Sequence, residues 1–137
     1  MVKKRVFATK GFIVLLIAAV MVTACVLELF YVDKTFAQME TKVERLLVEI
    51  EKDTENVKRA ETLEMAADMK AFWNKKKRLT EIMLNHILLI EYDSRINRLK
   101  SNVETNEANL SKIDGDQLLE MTRELRNLHT PHIHNIF

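Results

Sequence analysis

The sequence contains very little glycine and proline. Gly11 and Gly115 are the only glycines and Pro131 is the only proline among 137 residues. Tight β-hairpin turns and glycine-rich phosphate-binding loops need glycine at fixed positions, so this composition leaves few places for either. Residues that favour helices, such as leucine, glutamate, lysine and alanine, dominate instead. We therefore expect an all-α protein.

Cysteine is equally scarce, since Cys25 is the only one. A single cysteine excludes an internal disulfide framework. The sequence also lacks the CxxC and HExxH metal motifs, a nucleophile elbow and a P-loop. These absences predict that the protein is not an enzyme, that it has no catalytic residues and that it needs no cofactor.

No large excess of charge of either sign is present, because the chain has 21 basic and 20 acidic residues. The charge is unevenly placed, however. The amino terminus contains Lys3, Lys4, Arg5 and Lys10 and no acid, whereas the part beyond Val32 is slightly acidic. A slightly acidic domain lacks the basic surface that nucleic-acid binding requires, so we expect no nucleic-acid partner.

A long apolar run follows the basic residues. It extends over residues 11–32 and carries only Glu28 as a charged residue. A helix needs roughly 20 apolar residues to cross a bilayer, and basic residues mark the cytoplasmic side. We therefore predict a cytoplasmic basic segment at 1–10, a transmembrane helix at 11–32 and an extracytoplasmic helical domain at 33–137. This describes a single-pass protein of the cytoplasmic membrane, with its N-terminus inside and the lipid bilayer as a partner.

The same run has a second interpretation. The sequence Val22-Thr23-Ala24-Cys25 resembles a bacterial lipobox, in which a signal ending at residue 24 is removed and Cys25 is acylated. The residues after Cys25 stay apolar, whereas lipoproteins usually turn polar there, and this favours an uncleaved span. Glu28 lies close enough to the outer end of the span to reach the headgroups, and its alternative role is pairing with another membrane helix.

Beyond the apolar run, hydrophobic residues recur at alternating steps of three and four, the period of an amphipathic helix. The first stripe is Phe36, Met39, Val43, Leu46 and Ile50. The second is Met65, Met69, Phe72, Lys76, Leu79, Met83 and His86, flanked by Ala66, Trp73 and Ile82. The third is Leu89, Tyr92, Ile96, Leu99 and Val103, and the fourth is Leu118, Met121, Leu125 and Leu128. Short amphipathic helices bury such stripes on one another, so we predict a small bundle of about four helices.

Local signals set the expected helix boundaries. No glycine or proline separates the span from the first stripe, so one helix is expected to contain both. The Asp-Thr pair at 53–54 is predicted to cap the second helix. The second and third stripes are out of phase by about one position, which predicts a turn or kink near 85–88. Residues 104–111 are predicted to be a loop, with Asp114 and Gln117 as a capping pair for the fourth helix.

Several polar and aromatic residues are candidates for contacts with a partner. The side chains of the basic run at 75–78 are distributed around most of the circumference of a helix. A solvated helix face is therefore the simpler interpretation, and contact with lipid phosphates or an acidic wall polymer is the alternative. Lys76 falls on a stripe, where its stem can pack, and Lys77 can stack on Trp73. His86 is expected to be a core histidine, with ligand binding or pH sensing as the alternative.

The carboxyl-terminal tail contains a cluster of histidines, His129, His132 and His134. Neutral imidazoles so close together could hold Zn²⁺ or Cu²⁺. No cysteine or carboxylate lies nearby in the sequence to complete a site, and chain ends are usually mobile. These residues are therefore only weak candidates, and no metal site is predicted.

Several short motifs occur in a characteristic order along the chain. They are LELFYV at 27–32, KTF at 34–36, FWNKKKRL at 72–79, NH at 85–86, INRLKS at 96–101 and NIF at 135–137. As a set they resemble a family of small membrane proteins from Gram-positive, often spore-forming, bacteria, described as domain of unknown function 4363. The resemblance covers nearly the whole chain. The chain departs from the family at Ile87, where an acidic residue is usual, and at His132 and His134, which replace a more acidic tail.

The resemblance implies no catalytic residue, because the family has no assigned activity. It implies a membrane complex, since members are sometimes encoded beside a multi-pass membrane family. We predict a membrane-anchored, extracytoplasmic helical interaction or accessory protein that docks on a membrane or envelope partner or associates with itself. The alternatives are a sensor-type ectodomain that signals through a partner, and an exported lipoprotein or metal-handling protein. The sequence leaves open the partner, the oligomeric state, the processing of Cys25 and the continuity of the second and third helices.

Overall fold

The computed structural model describes the backbone of residues 2–129 and the side chains of residues 11–128. Its helices are α1 (Val2–Lys52), α2 (Ala60–Met83), α3 (His86–Glu104) and α4 (Ala108–His129). No strand occurs among residues 2–129, so the predicted all-α class is confirmed. The chain divides into two compact units, unit 1 (Met1–Tyr31) and unit 2 (Val32–Phe137).

Unit 1 belongs to helix α1, and its described side chains are mostly apolar and exposed. An 18-residue window within the segment Gly11–Lys52 has a mean hydropathy of 2.7, and none of the window is buried. Phe12, Leu16 and Val20 are each more than half exposed. Water is an unfavourable environment for so much apolar surface. By its length and composition this helix can cross a membrane.

Unit 2 is a helical bundle, and ion pairs between α1 and α4 define the register of these two helices. Asp33 Oδ1 lies 2.7 Å from Arg126 Nε, close to the end of α4. Glu51 Oε1 lies 2.6 Å from Lys112 Nζ, close to the start of α4. The two helices therefore run in opposite directions.

Contacts between side chains also give the directions of α2 and α3. Arg59, just before α2, lies 3.0 Å from Glu49, whereas Trp73, in the second half of α2, packs on Phe36 with 6.4 Å between ring centroids. Helix α2 is therefore antiparallel to α1. Tyr92 of α3 packs on Trp73 at 4.7 Å. One end of unit 2, which we call the Val32 end, thus contains the α2–α3 turn and the last turn of α4. The opposite end, the far end, contains the loops 53–59 and 105–107.

The core of unit 2 is built from the first and third predicted stripes. All ten residues of these two stripes are at most 1% exposed, which confirms both predictions. Phe36, Trp73 and Tyr92 form an aromatic cluster at the centre, with Phe36 and Tyr92 edge to face at 5.6 Å. The Tyr92 hydroxyl is 2.8 Å from Thr122 Oγ1, and Thr122 donates its own proton to the Leu118 carbonyl at 2.6 Å. Tyr92 is therefore the donor, and its buried hydroxyl is satisfied.

The buried face of α2 differs in part from the predicted second stripe. Its buried residues are Thr62, Ala66, Met69, Trp73 and Thr80. Within the predicted stripe, Leu79 is 42% exposed and His86, now the first residue of α3, is exposed. The prediction failed because small residues also form the core face of α2. Thr80 is tolerated there since its Oγ1 donates to the Lys76 carbonyl at 3.1 Å.

The prediction of a helix cap at 53–54 is wrong. Helix α2 begins only at Ala60, after an extended Arg59 that makes no side-chain cap. Asp53 serves the loop instead, since its Oδ1 accepts a hydrogen bond from the Asn56 amide at 3.1 Å. Asn106, at φ 63°, joins this loop to the α3–α4 turn, because its Oδ1 accepts from the Lys58 amide at 2.9 Å.

The predicted loop and cap before the fourth helix are also wrong in part. Helix α4 begins at Ala108, so 108–111 is helical and Asp114 and Gln117 lie inside the helix. Their side chains bind α3: Asn102 Nδ2 donates to Asp114 at 2.7 Å and Arg95 Nη1 donates to Gln117 at 2.5 Å. Asp114 and Gln117 thus have the spacing of a capping pair but connect α4 to α3.

The break between the second and third helices is confirmed. Helix α2 ends at Met83, Leu84 is extended and Asn85 caps α3, with its Oδ1 accepting from the Ile87 amide at 2.9 Å. The break lies at 84–85, at the edge of the predicted interval. Asn85 can end one helix and start the next because its short side chain replaces a backbone acceptor.

Helix α4 confirms part of the fourth stripe. Leu118 and Leu125 are buried and Met121 is half-buried, but Leu128 is 69% exposed because it lies in the last turn, past the core. Gly115 is buried against α1, and a Cβ there would lie 2.5 Å from Leu47 Cδ2. The absence of a side chain at this position allows α1 and α4 to approach closely.

Candidate interaction surfaces

The residues predicted to act at the membrane lie in unit 1. Lys3, Lys4, Arg5 and Lys10 belong to α1, but their side chains fall outside the described residues. Cys25 is an exposed free thiol and Glu28 is half-buried, both on the same helix. Acylation of Cys25 and the role of Glu28 remain predictions.

Trp73 belongs to the core of unit 2 rather than to an exposed contact surface. Its side chain is fully buried, and its Nε1 donates to Asp93 Oδ1 at 3.0 Å. The expected stacking of Lys77 on Trp73 is replaced by a shared partner, because Lys77 Nζ donates to Asp93 Oδ2 at 3.0 Å. Lys70 Nζ adds a third hydrogen bond to this carboxylate at 2.6 Å. Asp93 of α3 thus accepts hydrogen bonds from three side chains of α2.

The charges around Asp93 determine its protonation. Burial tends to raise the pKa of the Asp93 carboxyl, but the hydrogen bonds from Lys70 and Lys77 outweigh it, so the pKa is lowered overall. The hydrogen bond to Asp93 in turn raises the pKa of Lys77. The Asp93 carboxylate and the Lys77 ammonium are therefore both charged at neutral pH. With its donors and acceptors matched, this cluster joins α2 to α3.

The remaining candidates of the basic run are at the surface of α2. Lys76 is half-buried with its Nζ 5.8 Å from the centroid of Phe72, so its stem packs as expected. Lys75 and Arg78 are exposed to solvent. The expectation of a core histidine at position 86 is wrong, because His86 is exposed at the start of α3. Its imidazole is therefore available at the surface.

The predicted weak metal candidates cannot be assessed in the same way. His132 and His134 lie outside the described residues, and of His129 only the backbone, as the end of α4, is described. Within the part of the chain that the structure describes, no group of three or more histidine, cysteine or acidic side chains is placed to hold a metal ion.

An open groove of about 320 Å³ lies between α3 and α4. Its lining residues are Leu88, Glu91, Arg95, Gln117, Glu120, Met121 and Glu124. Leu88 and Met121 are half-buried against the core and supply the apolar part of the groove. Arg95 Nη2 donates to Glu91 at 2.7 Å, while Glu120 and Glu124 are exposed. The groove is therefore mostly polar, with an apolar contribution from Leu88 and Met121, and it is acidic because three glutamates outnumber one arginine.

One face of α4 reaches this groove at Gln117 and Met121 and carries apolar residues outside it. Leu110, Ile113, Gln117 and Met121 are spaced by three and four residues, so they share one face of α4. Leu110 and Ile113 are about half exposed. This second apolar face was missed because Gln117 was interpreted as a cap and Met121 as a core residue.

A second network of charges closes the seam between α1 and α4. Arg123 contacts Glu40 at 2.7 Å and Glu44 at 2.6 Å, and Arg126 contacts Glu40 at 3.1 Å and Asp33 at 2.7 Å. The hydrogen bond from Arg123 is the main reason why the pKa of Glu40 is lowered, although burial opposes it. The seam is charged and self-complementary, so the α3–α4 groove is the better candidate surface for a partner.

Comparison with known proteins finds a family whose function is unassigned. The family described as Domain of unknown function (DUF4363) matches residues 28–136. This interval contains all of unit 2's described helices and the last residues of the apolar run. No curated protein and no solved structure matches the chain.

Proposed function

The chain belongs to the DUF4363 family, and from that membership and the geometry of its surfaces we propose that it is a membrane-anchored interaction protein without catalytic activity. Residues 11–32 cross the cytoplasmic membrane, with the basic residues of the amino terminus inside. Unit 2 lies outside the cytoplasm and docks on a membrane or envelope partner. The single observation that supports this most strongly is that α1 carries both an unburied apolar segment and a core stripe of the bundle.

The two parts of α1 support an anchor with a folded domain attached. The segment from Gly11 to Leu27 is exposed along its whole length. A bilayer is the environment that removes such a surface from water on all sides of a helix. From Val32 onward the same helix buries one stripe in the bundle. The polypeptide that enters the bilayer is thus also part of the bundle core.

The α3–α4 groove supports a partner with a positively charged amphipathic segment. A helix that docks in a groove places its apolar side chains on the floor and its polar ones at the rim. Leu88 and Met121 offer the apolar contact, while Glu120 and Glu124 offer carboxylates to lysine or arginine. Such a segment on a membrane protein, or on an envelope protein, fits this surface.

A sensor-type role is the second candidate, and the continuity of α1 favours it. One uninterrupted helix, Val2–Lys52, contains both the apolar segment and the core stripe. A ligand-induced movement of the bundle would act directly on the membrane helix of such a protein. In this role the chain would pass the signal to a partner in the membrane. The lipoprotein and metal-handling alternatives have no support from the described residues.

Site-specific photocrosslinking in native membranes tests the proposal. A photoreactive amino acid replaces Glu120 in the groove or, as a matched control, Glu64 on the exposed face of α2. We expect one crosslinked partner from position 120 and none from position 64, and mass spectrometry identifies it. A product containing two copies of this chain would assign the groove to self-association. Equal background labelling at both positions would contradict docking in the groove.

A further inference from the structure

The α2–α3 turn exposes an unusual amount of apolar surface. Leu79 and Ile82 at the end of α2 and Ile87 and Ile90 at the start of α3 are exposed, with Ile82 at 80% and Ile87 at 75%. We call these four residues the apolar tip. Large aliphatic side chains so close together in the sequence are unfavourable on the surface of a bundle in water, which indicates that another molecule covers them.

The apolar tip lies at the Val32 end of unit 2. Phe36 of α1 contacts both Trp73 of α2 and Tyr92 of α3, at 6.4 and 5.6 Å between ring centroids. The Trp73 and Tyr92 side chains are therefore level with Phe36 along the bundle. From Trp73 the chain of α2 runs toward Val32, turns at 84–85 and returns in α3.

The helical rise gives the height of the apolar tip. Val32 lies four residues before Phe36, so Lys77 of α2 and Leu88 of α3 are level with it. Ile82 lies five residues further, or about 7 Å beyond the level of Val32 at ~1.5 Å per residue. Leu128, 69% exposed in the last turn of α4, is at the same end. Leu79, Ile82 and Ile87 thus lie beyond the level of Val32, at the end of unit 2 where the chain arrives from the apolar run, and Ile90 lies about 3 Å short of that level.

Basic side chains stand next to the apolar tip. Lys75 and Arg78 are exposed on the last turns of α2. The nearest acidic groups of this region are already engaged, since Lys77 contacts both Asp93 at 3.0 Å and Glu81 at 3.8 Å. Aliphatic side chains at the end and basic side chains about one turn behind are the arrangement of protein segments that lie in a membrane interface.

We propose that the apolar tip inserts into the outer interface of the bilayer that holds residues 11–32. The isoleucines lie at the boundary of the acyl chains, and Lys75 and Arg78 contact the phosphates of anionic phospholipids. The inference rests on the proposed membrane anchor and goes beyond it, because it assigns a second, reversible lipid contact to unit 2.

Chain connectivity favours lipid over a second protein as the occupant. Val32 follows Tyr31 directly, so an anchored chain keeps the Val32 end close to the bilayer at all times. The local concentration of lipid at the apolar tip is therefore very high, whereas a protein partner has to diffuse to it. Burial of the exposed isoleucines removes apolar area from water, so even a shallow insertion is favourable.

Depth-dependent fluorescence quenching tests the inference on the full chain. The variant Cys25→Ser receives one new cysteine at a time, which is labelled with the fluorophore NBD. The labelled protein is reconstituted in phosphatidylcholine vesicles with or without phosphatidylglycerol, and lipids spin-labelled near the headgroup act as quenchers. The tip position is Ile87→Cys, and Leu110→Cys, half exposed near the far end, is the matched control. Leu16→Cys reports on the anchor itself.

We expect quenching at position 87 to be several-fold greater than at position 110 and to increase with the phosphatidylglycerol content. The double variant Lys75→Gln and Arg78→Gln should remove most of that increase. Equal, weak quenching at positions 87 and 110 overturns the inference. So does a label at 87 that is shielded from both spin-labelled lipid and aqueous iodide, since a protein then covers the apolar tip.

The Leu16 label separates this inference from the proposed function. Strong quenching at position 16 with none at position 87 leaves the anchor intact and rejects only the lipid contact of the apolar tip. Absence of quenching at position 16 rejects the anchor and the inference together.

Discussion

Helix α1 contains two segments that share a secondary structure and differ in almost everything else. Between Gly11 and Leu27 its apolar side chains point in every direction and are exposed. Between Val32 and Ile50 the apolar side chains, except the exposed Val48, are mostly buried on the bundle side, and they alternate with charged residues that pair with α2 and α4. The difference shows that the period of hydrophobic residues, rather than the amount of helix, decides whether a segment meets lipid or a bundle core.

The largest expected effect is the difference in unfolding free energy between alanine substitutions at two phenylalanines of α1. Phe36→Ala removes a fully buried ring of the aromatic cluster and should lower the free energy of unfolding of unit 2 by about 3–5 kcal/mol. Phe12→Ala, at a position 67% exposed, should leave it unchanged. Urea unfolding of the full chain in detergent, followed by fluorescence of Trp73, measures both. Equal destabilisation by the two variants would contradict the distinction between the segments.

A charge placed in each segment sharpens the comparison. Leu16 and Val48 are exposed to nearly the same extent, 54% and 56%. Leu16→Arg should weaken membrane insertion by about 2.5–3.5 kcal/mol, because the charge meets hydrocarbon. Val48→Arg should have little effect, because its side chain meets water. Fractionation into membrane and soluble pools reports the result, and the account fails if the two variants distribute alike.

The Asp93 cluster tests how much of unit 2 depends on charge. Asp93→Ala removes the acceptor of the buried Trp73 Nε1 and of two ammonium groups. We expect a loss of about 1–3 kcal/mol in the unfolding free energy, since the donors lose a partner that the core does not replace. Asp93→Asn should recover part of it, because its amide oxygen still accepts. The same urea titration measures both variants, and no loss in either would assign the cluster no energetic role.

Acid should affect unit 2 and leave unit 1 unchanged. The pKa values of Asp93 and Glu40 are lowered in the folded protein relative to 3.8 and 4.5. The stability they contribute is therefore complete above those ordinary values and is lost as pH falls below them toward the folded-state pKa values. Asp93→Asn should show a shallower decline with acid than the parent chain. Thermal unfolding between about pH 6 and about pH 3, a range that spans the ordinary carboxyl pKa values, tests this, and membrane association should stay constant.

The smallest effect is expected at the α1–α4 seam. Arg123 is half exposed and pairs with Glu40 and Glu44 at the surface. Exposed ion pairs contribute about 0–1 kcal/mol, so Arg123→Gln should change the unfolding free energy by less than that. A loss as large as that of Phe36→Ala would mean that the seam, and not the aromatic cluster, holds α1 in the bundle.

The sequence predicted the elements whose patterns are strongest. The first and third stripes are regular, uninterrupted and lined by large residues, and both proved to be core. The second stripe was wrong in part because Thr62 and Thr80 are polar and carry little hydrophobic signal, although they are buried. Their place in the core depends on the approach of neighbouring helices, which no local pattern encodes.

Candidate interaction residues were harder to predict than the fold. Trp73 and Lys77 were predicted to be contact residues because of their chemistry. In the structure both donate hydrogen bonds to Asp93, which is sixteen or more positions away in the sequence. No local sequence pattern connects Asp93 to them. His86 was expected inside and lies at the surface because the helix break at 84–85 precedes it. The α3–α4 groove was missed because its residues come from two helices, and their proximity follows only from the packing of the bundle.

Cysteine accessibility on intact protoplasts tests the central claim most directly. In the Cys25→Ser chain, a cysteine at Leu110 in unit 2 and one at Ala8 before the apolar run are each exposed to a membrane-impermeant maleimide. The account predicts labelling at position 110 on intact protoplasts and at position 8 only after permeabilisation. Labelling of position 110 only after permeabilisation would contradict an anchor that holds unit 2 outside the cell.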